Sequence, residues 1–137
     1  MVRRRGLLLS AAVEFVITER TGIYESVVSG DVPDGGLGFD PYENVPDGSR
    51  LLIDCCGIGQ VGSPVPRWAA MTIGLELRGF KAAVVVRNRL HFDMFDEAFR
   101  IGRVDRERRF GVFLDRKEAE LWLRSDGVLA SRLRSEN

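Results

Sequence analysis

The sequence predicts an α/β fold: a mixed central sheet of about five strands with helices packed on it. Three observations carry that prediction. An alternating apolar–polar stretch followed by a second strand-like run opens the chain as an antiparallel hairpin. The middle reads strand, helix, strand, with both strands continuously apolar. The last third repeats the unit and closes on a capped amphipathic helix.

Val13, Phe15 and Ile17 alternate with Glu14 and Thr18, the period-2 pattern of a half-buried strand, and Ile23–Ser29 follows the polar break at 19–22. Residues 30–49 are rich in Gly, Pro, Asp and Asn and hold little regular structure; Asp40 and Pro41 are placed to open one helical turn through Val45. Leu51–Cys56 is an apolar strand, and a helix opens at Pro66 and ends at Gly79. On it Trp68, Met71 and Leu75 form one face, with Ala69, Ile73 and Leu77 beside it. Ala82–Val86 is the next strand, parallel to the first through a right-handed crossover. Phe92, Phe95, Phe99 and Ile101 line one side of a second helix, with Asp93, Asp96, Glu97 and Arg100 on the other. Phe110–Leu114 is a strand, and Asp115 with Glu118 caps a third helix that buries Ala119, Trp122 and Leu123.

With 137 residues the chain is read as one domain over 13–124, preceded by a basic arm at 1–12 and followed by a polar tail at 125–137. Lys plus Arg and Asp plus Glu are both 20, so no net field argues for nucleic acid. Arg3–Arg5 before Gly6–Leu9 imitates a signal peptide, but Glu14 interrupts the apolar run, and no segment reaches the length of a membrane span. No stable membrane insertion is expected. Cys55 and Cys56 are adjacent and read as small buried hydrophobes rather than a disulfide, which places the protein in a reducing cytoplasm.

The sharpest chemical signal is Gly57-Ile58-Gly59-Gln60-Val61-Gly62, a G-x-G-x-x-G directly after an apolar strand. A dinucleotide site needs the helix to begin inside the glycine loop, whereas Pro64 and Pro66 delay it. The acidic ribose partner is also missing, because the next strand runs into Arg87, Asn88 and Arg89. Nucleotide binding is therefore a minor reading, and no cofactor is expected. His91 is the sole histidine and has no ligand partner at metal spacing, so no metal site is expected and its reading is a helix-terminal or surface residue. Asp93, Asp96 and Glu97 read as a solvated helix face rather than an acid–base pair. No catalytic set is assembled.

Three stretches carry a resemblance to a known family: Arg50-Leu51-Leu52-Ile53-Asp54, Lys81–Val86, and Phe110–Leu123 with its Glu118-Ala119-x-x-Trp122-Leu123 helix. Together with the element order they resemble the SpoIIAA-like branch of the STAS superfamily across residues 13–124. The resemblance implies a non-enzymatic regulatory or protein-interaction module that works through the loop after the third strand. That loop is Gly57–Pro64, with Gly57, Gly59, Gln60, Gly62 and Ser63 as its interaction residues. Sporulation-type members phosphorylate a serine there, which makes Ser63 the matching position and a phosphorylation-switched anti-sigma factor antagonist one alternative. Gly62 stands where the family has aspartate, and Pro64 follows. A protein partner or self-association is the expectation. The resemblance of these domains to lipid carriers gives another alternative, an apolar ligand or lipid site lined by Phe39, Tyr42 and Trp68.

Overall fold

The computed structural model describes residues 2–8, 11–32, 40–61 and 65–125. Among the described residues six strands form one sheet in strict sequence order. β1 (Val2–Leu8), β2 (Ala11–Arg20) and β3 (Ile23–Val32) are antiparallel neighbours. β4 (Arg50–Val61), β5 (Lys81–Val85) and β6 (Phe110–Phe113) continue the sheet in parallel. The mixed α/β sheet is the predicted class, with one strand more than the five expected.

The added strand is β1. Residues read as a basic arm pair with β2 from Val2 opposite Ile17 to Leu8 opposite Ala11. An arginine run marks a solvated segment by composition, yet charge is also what guards an edge strand against pairing with another chain. The β2–β3 hairpin closes through Thr21 and Gly22, both with positive φ (51° and 82°), the two-residue turn whose twist suits antiparallel strands.

α1 (Val65–Leu77) and α2 (Arg89–Gly102) connect successive parallel strands. Right-handed crossovers that advance in one direction place both helices on the same face. There they enclose the main core with Phe15, Val28, Leu51, Ile53, Val84 and Phe110 from the sheet, and Trp68, Phe95 and Phe99 from the helices. α3 (Arg116–Arg124) follows the last strand and packs on the opposite face, over β4, β5 and β6. Asp115 caps it, accepting from the amide of Lys117 at 2.9 Å.

The β3–β4 connection is irregular but anchored. Asp40 Oδ1 accepts from the Tyr42 amide at 2.9 Å, and the Val45 amide bonds the Tyr42 carbonyl at 3.0 Å, which makes the predicted capped turn. Arg78 at the end of α1 holds this turn through Asp47, the Tyr42 carbonyl and the Val45 carbonyl. Tyr42 itself enters the core and meets the fully buried Ser26 hydroxyl at 3.0 Å. Tyr42→Phe strands that hydroxyl without a partner while keeping the ring. The expected loss is about 1–3 kcal/mol in urea unfolding; an unchanged midpoint would show that the pair contributes nothing.

Candidate interaction site

As far as Val61 the glycine motif is strand, not loop. Gly57 through Val61 continue β4, pairing with β3 at Gly57–Ser29, Ile58–Gly30 and Val61–Val32. Neither Gly57 nor Gly59 has positive φ, so neither shapes a left-handed turn. Their smallness serves close approach: a Cβ on Gly57 would lie 3.2 Å from both the Val28 carbonyl oxygen and Ser29 Cβ. With this backbone committed to the sheet and α1 starting at Val65, the phosphate-cradle reading is corrected to a structural one. Ser63, Gly62 and Pro64 lie outside the described residues, as does Phe39.

β4 outruns its neighbour. It pairs with β5 only from Arg50 to Asp54, and beyond that with β3 alone. This overshoot runs along β3 as far as Val61, and α1 begins at Val65. Asp54 is fixed at the branch point. Its Oδ1 accepts from the Cys56 amide at 2.9 Å, and its Oδ2 meets Arg116 at 3.2 Å.

Arg116 is the hub of this end of the sheet. It also contacts Glu25 at 2.7 Å and Glu120 at 3.1 Å, tying the first turn of α3 to β3 and β4. The Glu25 hydrogen bond is the first cause of its raised pKa, so it stays charged at any working pH. Three carboxylates around one guanidinium make a partly exposed clamp rather than an acid–base pair.

Burial, and then the neighbouring Asp54 charge, pushes the pKa of both Cys55 and Cys56 upward, away from thiolate character. Cys55 is buried as expected, whereas Cys56 is exposed, and both are free. Among the described residues no group of three or more His, Cys, Asp or Glu side chains is placed to hold a metal. No described helix is long and apolar enough to cross a membrane.

Of the two readings of His91 the helix-terminal one holds and the surface one does not: it is buried in the first turn of α2, beneath the Asn88 cap. Its Nδ1 finds no hydrogen-bond partner among the described residues. Burial first and the Arg87 charge second hold its pKa below the ordinary 6.5. The unfolded chain therefore binds the proton more readily than the folded one. Stability from this group is complete above pH 6.5 and is lost as pH falls through the lowered folded value. His91→Leu is expected to flatten that acid-side loss in urea titrations compared across pH. Parallel pH profiles for the two proteins would refute it.

The carboxylates of α2 are a solvated face, as read from sequence: Asp93 pairs with Arg89 at 3.2 Å, Asp96 with Arg106, and Glu97 with Arg100. Tyr42 and Trp68, proposed as pocket walls, sit in the main core. The Tyr42 ring lies edge-on to Phe15 at 6.2 Å, and Trp68 stacks on Phe95 at 3.9 Å. Both side chains are buried, so these residues are packing elements here.

Not all the apolar side chains of α1 are buried. Leu77 is 84% exposed and Ile73 41%, although both were expected beside the buried face. With Pro66, Ala70 and Gly74 they form a solvent-facing stripe of uncharged residues, with Arg67 at its edge. Ile101 of α2, 53% exposed, stands beside it, because Ile73 Cγ1 lies 3.3 Å from where a Gly102 Cβ would be.

Comparison with known proteins supports the fold. No family model matches the chain, and no curated protein matches it. Among solved structures, an anti-sigma factor antagonist from Mycobacterium paratuberculosis superposes with a TM-score of 0.51 at 18% identity, covering 82% of this chain and 95% of that one. The sheet and helices thus share the STAS-type fold of that protein.

Proposed function

We propose that this STAS-type fold serves as a regulatory protein-interaction module with no catalytic machinery of its own, acting in a reducing cytoplasm. It engages a partner protein through the outer face of α1 and the segment Gly57–Pro64 that leads into it. The carrying observation is the apolar stripe Ala70–Ile73–Leu77 on a helix that a soluble protein ordinarily keeps polar outside. One further fact supports it: the structural neighbour is named for opposing an anti-sigma factor. An anti-sigma factor is accordingly the first partner class to try, with Ser63 as the residue to examine for phosphorylation.

The test compares the wild-type chain with an Ala70→Glu/Leu77→Glu double variant in affinity capture and sedimentation velocity. The wild type is expected to recover a stoichiometric partner or a self-dimer that the variant loses. Identical behaviour of the two proteins would sink the assignment of α1 as the docking surface.

A further inference from the structure

Among the described residues the sheet has two outer strands, β1 and β6, and they are guarded differently. β1 carries Arg3, Arg4 and Arg5. From Phe110 to Leu114, β6 and the residue after it hold neither charge nor proline, the usual guards against adding a further strand. Among the described residues β6 pairs with β5 alone.

Two hydrogen bonds set the direction of its backbone. The Ala82 amide donates to the Arg109 carbonyl at 2.7 Å, and the Val86 amide to the Phe113 carbonyl at 2.9 Å. In a trans peptide each amide points opposite to the preceding carbonyl, so the amides of Phe110 and Leu114 face outward, and alternation puts both groups of Val112 there too. The Phe110 amide is already used on the Asp105 carbonyl at 2.9 Å. The Phe110 carbonyl, both groups of Val112 and the Leu114 amide remain along the edge.

A second copy of β6 matches these groups in one antiparallel register. With a two-fold axis at Val112, each Val112 exchanges both bonds with its copy, and each Leu114 amide donates to the Phe110 carbonyl opposite. This ladder does not need the amide held by Asp105. The register also sets Arg109 opposite Asp115 of the copy at both ends; both residues are exposed, and Asp115 keeps extended backbone at φ −117° and ψ 122°. Arg109 spends one donor on the Gly79 carbonyl at 3.1 Å, which leaves others of its fork for the carboxylate. Moving the axis to Gly111 sets Arg109 against Phe113, and moving it to Phe113 sets Gly111 against Asp115 and Phe110 against Arg116. At the Val112 register the next pair out, Arg108 and Arg116, stands off the ladder, because Arg116 belongs to α3 and is held by Glu25, Asp54 and Glu120.

The helices accommodate this arrangement. α2 joins β5 to β6 and packs Phe99 on Phe110 at 5.7 Å. Two strand spacings would separate it from its copy, about 10 Å, an ordinary distance between packed helices. Leu114, 50% exposed at this edge, gains a cover. A foreign strand would meet four residues of edge, whereas a copy adds an ion pair at each end.

We infer that the chain pairs with a second copy of itself along β6, antiparallel about Val112, joining two six-stranded sheets into one. This edge is separate from the α1 stripe, and the inference does not rest on the proposed function.

Sedimentation equilibrium of the full chain tests it, beside Arg109→Glu, Asp115→Asn and Ala70→Glu/Leu77→Glu. The wild type is expected to be a dimer, as is the α1 variant. Arg109→Glu turns both end contacts into repulsions and should weaken dimerisation about tenfold. Asp115→Asn keeps the α3 cap and the Gly79 contact, and mixing it with Arg109→Glu should restore pairing, since the mixed dimer has one ion pair and no repulsion. Hydrogen exchange at the Val112 and Leu114 amides should slow as protein concentration rises. A wild type that stays monomeric at about 100 μM would overturn the inference. So would a dimer that Arg109→Glu leaves intact and Ala70→Glu/Leu77→Glu dissolves, because the α1 stripe would then be the contact. Exchange at Val112 that ignores dimerisation would overturn it too.

Discussion

Trp122→Ala is expected to lower unfolding free energy by about 3 kcal/mol, the lower end of the range for a large aromatic truncated in a core. α3 is nine residues long, and Trp122 is its largest buried contact. The ring meets Phe113 at 5.6 Å, lies under Lys81 Nζ at 4.6 Å, and joins a small cluster with Ile23, Leu52, Ala83, Val85, Ala119 and Leu123. Gly111 keeps this site tight: a Cβ there would sit 2.8 Å from the Phe113 ring and 3.6 Å from Trp122. One term acts the other way. The indole N–H has no partner among the described residues, so truncation removes a buried unsatisfied donor and trims the loss. Urea unfolding followed by far-UV circular dichroism reads the difference. Leu121→Ala, on the exposed side of the same helix, should change stability by less than about 0.5 kcal/mol. Equal effects from the two substitutions would mean that α3 does not seal its face of the sheet.

The consequence reaches the candidate site because α3 carries Arg116. The guanidinium that joins Glu25, Asp54 and Glu120 is positioned by the helix that Trp122 anchors. Loosening α3 frees the end of β4 just before its overshoot toward α1. Stability on one face and geometry at the other are therefore coupled through a single short helix.

Period decided how much of this was legible in the sequence. β2 showed alternation, α2 and α3 showed sharp apolar stripes, and β4 and β5 showed continuous apolar runs, so these elements were placed, with β2–β3 and β4–β5 as neighbours. Where the pattern lacked contrast, the reading failed. α1 is apolar on nearly every side, so its sequence holds no record of which way Ile73 and Leu77 point. Gly57 and Gly59 broke the strand pattern of β4, and only the extension of β3 to Val32 reveals that pairing continues past Cys56. Arg3–Arg5 concealed β1 behind charge. The Arg116 clamp joins positions far apart in the chain, and no local spacing announces it.

The double substitution Ala70→Glu/Leu77→Glu carries the largest expected functional effect, a loss of partner affinity of 100-fold or more. That corresponds to about 2.7 kcal/mol. The two positions are seven residues apart, so both carboxylates would lie on the same side of α1 and flank Ile73. Any partner that buries this stripe must desolvate two charges for which an apolar surface has no counter-ion, a cost of several kcal/mol. Folding should hardly notice. Both side chains already face solvent, and glutamate sustains a helix well, so the unfolding midpoint is expected to move by less than about 0.5 kcal/mol in free energy. Glu76 already spans from α1 to the Asp105 amide at 2.7 Å, and neither substitution touches that contact. Calorimetric titration of the partner recovered with the wild type measures the affinity, and urea unfolding of the variant checks the fold. Retained affinity in a fully folded variant would move the docking surface off α1, leaving the end of β4 around Asp54 and Cys56 as the part of the site still to be probed.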